Sequence, residues 1–514
     1  MRIRATFRPV RAERYLQPGG AWDGAALDPC IELSDADPDR LVDGEVRLSG
    51  GDVEARVAAL AAGLLRRGVR RLDVVAWQLP NWHEAVLLYR ACWRVGAVAA
   101  PLHHGFGKSE VGPALDLLEP RLVLSADGLA AADVAGSVCV RGPSDEFSKL
   151  LEEGEPVTVN HGRPTDLAVV LFTSGSEGRP KAVLHTQRGL AYKARLMRRV
   201  HELTGSDCVL MPAPLAHISG LLNAVLVPGA ARTRTVLMAR WDPEAALEAI
   251  SRERVTFMIG PPTFFVALME APGFSPERVE SLRLVSSGGA GVSPAFVTAA
   301  TQRLRCRVKR TYGSTEAPTV ATSGAADPFE RARDTDGRAI GDVTLRVTDP
   351  ANGRHLPPGE VGELWLRGPE VFVGYADPDQ TRAAFHRGWF RTGDLATMDG
   401  EGWLTVVGRI KEVIIRGGEN IAAAEVEAAL EAHPAVSQAV AVGYPDDVLG
   451  ERVAAFVVTG GGAFALDDCR SWFSQRGVAR FKTPERVITV DSLPLLATGK
   501  PDRAALRRRL EDAR

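Results

Sequence analysis

Apolar positions along this chain follow one rhythm as far as about residue 316 and two others further on. From about residue 54, helix-period stretches alternate with short apolar runs. Residues 53–69, 82–95, 243–252 and 294–304 carry apolar side chains three and four apart and predict helices. Residues 72–79, 122–125, 167–173, 209–212, 235–238, 255–259 and 282–286, with a run ending at Pro101, predict short buried strands. Strands alternating with helices predict parallel sheets covered on both faces.

Past about residue 340, the runs 343–348, 362–367, 389–392 and 403–407 are divided by Gly, Pro and Asp turns and predict a small β-rich subdomain, a distorted barrel. From about 411 the pattern becomes strand, helix (424–432), two strands and helix (466–475), an α+β unit of about 100 residues. The expected division is an N-terminal domain of residues 1–408, with the β-rich part at 340–408, and a C-terminal domain of residues 409–514.

Composition narrows the function classes. With 62 Lys+Arg against 64 Asp+Glu, a net charge of -2 gives no broad basic surface, so no nucleic-acid partner is expected. A 45% hydrophobic and 25% charged chain excludes overall disorder. No apolar run reaches the roughly 18 residues of a membrane span. The basic N-terminus has no apolar stretch behind it, so no secretory leader is expected. The scattered cysteines form no C-x-x-C pair, which predicts a cytoplasmic, reducing setting. Only 8 of the 62 cations are Lys, so each Lys is a place where a compact ammonium can be needed in place of a guanidinium.

Several segments carry candidate chemistry. Thr173-Ser174-Gly175-Ser176-Glu177-Gly178-Arg179-Pro180-Lys181 follows a buried strand. Its glycines, hydroxyls and terminal cation suit a polyphosphate, though the spacing is not that of a Walker A loop. Further on come Tyr312-Gly313-Ser314-Thr315-Glu316, Arg391-Thr392-Gly393-Asp394, Gly408-Arg409-Ile410-Lys411-Glu412 with Gly417-Gly418-Glu419-Asn420, and Ala497-Thr498-Gly499-Lys500. Singly, each also reads as a strand end, a turn or a Gly-Lys loop.

Together, in this order, they resemble the adenylate-forming enzymes: acyl-CoA synthetases, adenylation domains of peptide synthetases, and luciferases. The resemblance runs from about residue 50 to the C-terminus. It implies a large N-terminal domain with two helix-covered sheets and a β-barrel subdomain, followed by a small mobile α+β lid. It implies that the loop from Thr173 through Ser174, Gly175, Ser176 and Gly178 to Lys181 holds the ATP phosphates. By the same resemblance, Tyr312 stacks on adenine and Gly313 adjoins it. Thr315 contacts the α-phosphate, and Glu316 ligates Mg2+. Gly289 and Ala290 bring backbone near adenine and substrate. Asp394, assisted by Arg409, receives the ribose hydroxyls. Lys500 bridges the substrate carboxylate and the α-phosphate, where a mobile point charge suits two converging anions. Lys411 is the hinge, and Gly417 and Gly418 belong to a loop that meets coenzyme A.

Two positions depart from the family pattern: Glu177 stands where a hydroxyl residue is usual, and Ala182 where Gly is usual. His217 resembles a gate residue beside the acid; a satisfied histidine at a helix start is the other reading. Residues 217–227 contain no Asp or Glu to pair with an ammonium, which disfavours amino acids. Gly313 stands where acetate-specific relatives carry Trp, which implies an open pocket floor and an apolar acid longer than acetate. The expected partners are that carboxylic acid, ATP, Mg2+ and CoA. Transfer to a carrier protein is the alternative second step, and self-association into a homodimer stays open.

Overall fold

The computed structural model describes residues 12–17, 19–23, 27, 39–142, 146–152, 155–157, 161–173, 181–416, 419–446, 448–462, 464–496 and 500–512. Two large sheets form first. In the six-stranded sheet the order is Val138–Cys139, Leu122–Ser125, Val74–Gln78, Val98–Leu102, Leu167–Thr173 and Lys181–Thr186. All neighbours are parallel except the last pair. The nine-stranded sheet has a parallel centre running through Leu41–Asp43, Arg234–Leu237, Cys208–Met211, Phe257–Gly260, Leu284–Gly288 and Arg307–Tyr312, with short antiparallel edges.

Strand periodicity explains how these sheets pack. Val74–Gln78 is buried at every position. Its Val75 and Trp77 enter the largest hydrophobic cluster, which also takes Val209 and Met211 of the nine-stranded sheet, while Val74 and Ala76 enter a second cluster on the opposite face. Helices seal the faces where local chemistry starts and stops them. Gly50–Arg66 begins at a reciprocal cap between Ser49 and Asp52. His83–Val95 ends at Gly96, whose φ of +74° a side chain would strain.

In the β-rich region the described strands form a branched antiparallel sheet. Its path runs Thr344–Thr348, Gly362–Arg367, Trp389–Met398 and Phe385–His386, with Leu404–Arg409 on the branch. Register breaks between Glu363 and Trp365 and between Leu395 and Ala396 bend it, and Tyr375 bridges to Val183 of the six-stranded sheet.

After the single turn Ile410–Glu412 the chain builds a smaller unit. Val413–Arg416, Glu419–Ala422, Val436–Asp446, Gly450–Thr459 and Arg486–Thr489 make one sheet. Its clusters, around Ile414, Leu430 and Phe473 and around Phe456 and Leu506, draw on no buried residue before 414. Among the described residues, no helix is long and apolar enough to cross a membrane.

Candidate functional site

Cross-strand register assembles the charged wall of the site. Asp394 lies opposite Arg409 in the antiparallel pair, and their side chains meet with Arg409 Nε 2.8 Å from Asp394 Oδ1. Tyr312, at the end of Arg307–Tyr312, donates its hydroxyl to Asp394 Oδ2 at 2.6 Å. Burial pushes the Tyr312 phenol up, the Asp394 carboxylate pushes it further, and it stays protonated. The same carboxylate raises Arg409. Each Asp394 oxygen keeps a lone pair beyond these contacts, enough for two further hydroxyl donors.

Beside this wall, Tyr375 donates to Glu316 Oε1 at 2.8 Å, and the Lys181 ammonium lies 5.1 Å from the Tyr375 ring centroid. Thr315 is fixed from behind, since its carbonyl accepts from His185 Nε2 at 2.7 Å. His185 is fully buried, which lowers its pKa to about 4 and keeps it neutral. Thr173 and Lys181 face each other across a strand pair, so the two ends of the candidate phosphate loop are joined. Ser174, Gly175, Ser176, Glu177, Gly178, Arg179 and Pro180 lie outside the described residues, as do Gly417 and Gly418.

Lys500 reaches this cluster from the smaller unit. Leu496 N donates to Lys500 O at 2.7 Å and Leu495 bridges to Pro501, so Lys500 stands on the stem of a hairpin. Helix Arg503–Asp512 follows directly. A β-carbon at Gly289 would touch Lys500 Cε at 3.6 Å, placing the lysine against the Gly289-Ala290 turn. Burial and then Arg409 lower the Lys500 pKa; Asp394, Glu412 and Glu316 oppose them. Lys500 in turn repels a proton on His217, whose pKa burial already drives to about 4.

Three expected positions deserve separate placement. A β-carbon at Gly313 would sit 2.2 Å from Thr319 N and 2.7 Å from its Cα. The position faces its own turn, and the expectation of an open pocket floor there is corrected. Lys411 lies exposed in the Ile410–Glu412 turn, outside the cluster. His217 begins the short helix Ile218–Leu221 without a side-chain cap bond, so it is not the satisfied helix-start histidine of the alternative reading.

Sequence reasoning missed Tyr375, His185, His103 and Arg503. None lies in a motif, and each acts across the fold. Arg503 donates to Glu427 Oε1 at 2.6 Å and stands 3.6 Å from Glu412, clasping the base of the Lys500 hairpin to the turn at 410–412. Elsewhere, Asp43, His83 and Glu84 lie close enough to hold a metal. The Arg141 guanidinium fills that space, 2.7 Å from Glu84 and 2.9 Å from His83 Nδ1, and stacks on Trp82, so an ion-pair knot takes the ligand atoms.

The profile of AMP-binding enzymes matches residues 34–376, and that of the AMP-binding enzyme C-terminal domain matches residues 425–500. A medium-chain fatty-acid–CoA ligase of Escherichia coli (strain K12) is 33% identical, over 99% of this chain and 94% of the relative. ATP-bound MatB from Rhodopseudomonas palustris superposes with a TM-score of 0.85 at 28% identity, covering 95% of this chain and 99% of that one. The apo form of the same protein gives 0.75 at 29% identity, covering 96% and 98%.

Proposed function

The chain belongs to the AMP-binding enzyme family, and on that premise we propose that it joins an apolar carboxylic acid longer than acetate to coenzyme A in two ATP-driven steps. In the first, a carboxylate oxygen attacks the α-phosphorus of ATP, the bond to the bridging oxygen breaks, and pyrophosphate leaves with the electron pair. In the second, the CoA thiol loses its proton and attacks the acyl carbonyl, the anhydride C–O bond breaks, and AMP departs.

The observation that carries this reading is the convergence of Lys500 on the Tyr312–Asp394–Arg409 wall and Glu316. A half-buried ammonium there would sit between two anions that must approach, strongest where little water competes. Asp394 takes the ribose diol, Tyr312 and Gly313 border the adenine, and Gly289 and Ala290 let the nucleotide approach the backbone. Thr315 meets the α-phosphate, and the loop from Thr173 to Lys181 the outer phosphates. Glu316 suits a magnesium ion: its carboxylate is a hard ligand, and Tyr375 engages only Oε1. The ion would supply charge neutralisation on the phosphates. The better fit to an ATP-bound than to an apo relative supports a lid set for the first step. The second step would clear Lys500 by rotation of residues 409–514 about Lys411, bringing the Gly417-Gly418 loop towards CoA. The absence of Asp and Glu from residues 217–227, together with the medium-chain relative, supports an apolar acid.

The test is acid-dependent pyrophosphate release from ATP over a panel of acids, followed by assay of CoA against a phosphopantetheinyl carrier protein as acceptor. Release without dependence on acid removes the ligase reading. Acylation of the carrier alone would reassign the second step.

A further inference from the structure

The acid-facing side of the site holds a histidine whose chemistry the two-step reaction leaves unused. His103 follows strand Val98–Leu102 directly and is 3% exposed. Its strand pairs in parallel with Leu167–Thr173, with Ala99 opposite Val169. Counting four residues forward on each strand sets His103 level with Thr173, where the candidate phosphate loop begins. Val74–Gln78 and Val98–Leu102 are also the adjoining strands at which the sheet changes its winding direction, because the next strand, Leu122–Ser125, returns to the far side of Val74–Gln78. Open α/β sheets bind ligands beyond the carboxyl ends of strands at such a point.

The residue is held from behind. Gln78 Nε2 donates to the His103 carbonyl at 3.0 Å and to the Phe106 carbonyl at 2.8 Å, and Gln78 Oε1 accepts from Ala131 N at 2.8 Å. Its ring packs 4.4 Å from His104 and 5.0 Å from His217, the histidine that feels the Lys500 charge. Nδ1 accepts from Gly105 N at 2.9 Å. Burial, with His217 and His104 adding to it, drives the pKa to about 3, so the ring is neutral. A neutral imidazole whose Nδ1 accepts must carry its proton on Nε2. That N–H is buried and finds no acceptor among the described residues. Buried donors are rarely left unpaired, because nothing repays their lost hydration.

We propose that His103 Nε2–H donates a hydrogen bond to an acceptor oxygen on the body of the acid, away from its carboxylate, so that His103 is a specificity-determining residue favouring acids that combine an apolar frame with one hydroxyl, keto or ether oxygen. The proposal rests on the ligase reading and names its substrate class. A site built to pair with such a group discriminates sharply against an analogue that lacks it, because the donor is then stranded.

The experiment measures pyrophosphate release with hexanoate and octanoate beside their hydroxy and keto analogues, position by position along the chain. Phenylpropanoate is run beside its hydroxyphenyl analogues. One oxygenated acid is expected to exceed its plain partner in kcat/KM by roughly 100-fold or more. His103→Phe keeps a ring of similar size without the donor and is expected to bring that ratio close to one. His103→Gln retains a donor and is expected to keep most of the preference, with circular dichroism confirming that both variants fold. Equal use of both members of every pair overturns the inference and leaves the ligase reading standing. So does a His103→Phe loss of the same factor for every acid, which would place the donor on the reacting carboxylate. A chain that activates no acid at all overturns the ligase reading and this inference with it.

Discussion

The two sides of the site are built on opposite rules. On the proposed nucleotide side the carboxylates are paired: Asp394 holds Arg409 and Tyr312, and Glu316 holds Tyr375. On the acid side, His103 and His217 each keep a buried Nε2 without a partner among the described residues. A paired wall binds the same ligand in every turnover and can be preorganised for it. An unpaired wall leaves its strongest contacts to be completed by the substrate.

The largest test of this contrast strikes Lys500, which touches both sides. Lys500→Ala is expected to lower acyl-AMP formation by about three orders of magnitude, roughly 4 kcal/mol of barrier. Conversion of supplied acyl-AMP to thioester should stay within about threefold. Measuring the two half-reactions separately decides, and a matched loss would show that Lys500 serves neither wall in the way described. Next comes the pivot. Lys411→Pro fixes a backbone angle in the exposed turn between the two units and is expected to cut thioester formation about 100-fold, about 2.7 kcal/mol, while acyl-AMP formation persists. Parallel changes in both steps would remove Lys411 from the hinge.

Gly313 sharpens the contrast by asking which side it belongs to. Its β-carbon direction runs into the Thr319 backbone, so Gly313→Ala should destabilise the large domain by about 2 kcal/mol, read as a lowered denaturation midpoint. No shift towards acetate should accompany it. A stable variant with a shortened acid preference would return Gly313 to the acid wall.

The smallest effect concerns Glu431, in helix Ala423–Glu431 of the smaller unit, whose Oε1 accepts from Ala439 N at 3.3 Å. Burial and then Glu427, in the same helix, push its carboxyl up from 4.5 to about 7. The folded unit therefore favours the protonated acid. That stabilisation is complete below the free value and is lost as pH rises through about 7. Glu431→Gln, neutral throughout, should abolish this pH dependence. The effect is read as the denaturation midpoint across that range, and an unchanged profile would place the titration elsewhere.

The nucleotide side was legible in the sequence because its residues lie in short motifs with fixed spacing, from Tyr312 to Glu316 and from Asp394 to Arg409. The strands of the large sheets were equally readable, since runs such as Leu122–Ser125 and Leu167–Thr173 are buried on both faces and need no partner to identify them. On the acid side only His217 was singled out, and its neighbour His103 was not. His103 and His217 are brought together by sheet topology, and nothing local marks a histidine as unpartnered. Scarcity of Lys was a mixed signal. It marked Lys181 and Lys500, but Lys193 and Lys309 are structural. Lys193 Nζ bonds Thr319 O and Glu370 with both side chains wholly buried, and Lys309 Nζ bonds Ser323 O. A compact ammonium fits such sites where a fork of five donors would leave hydrogens unsatisfied.

The Arg503 clasp carries a consequence for timing. One guanidinium ties Glu427 and Glu412 to the base of the hairpin that bears Lys500. If the turn at 410–412 is the pivot of the proposed rotation, the lysine would neither lag behind the smaller unit nor anticipate it; arm and axle would turn as one piece. Withdrawal of the cation and admission of the thiol would then be a single event. Kinetically, that would forbid a ternary state of ATP, acid and a productively seated thiol. Pyrophosphate would leave before CoA can react, and slackening the clasp, as in Arg503→Ala, would blur that order of events before it slowed either one.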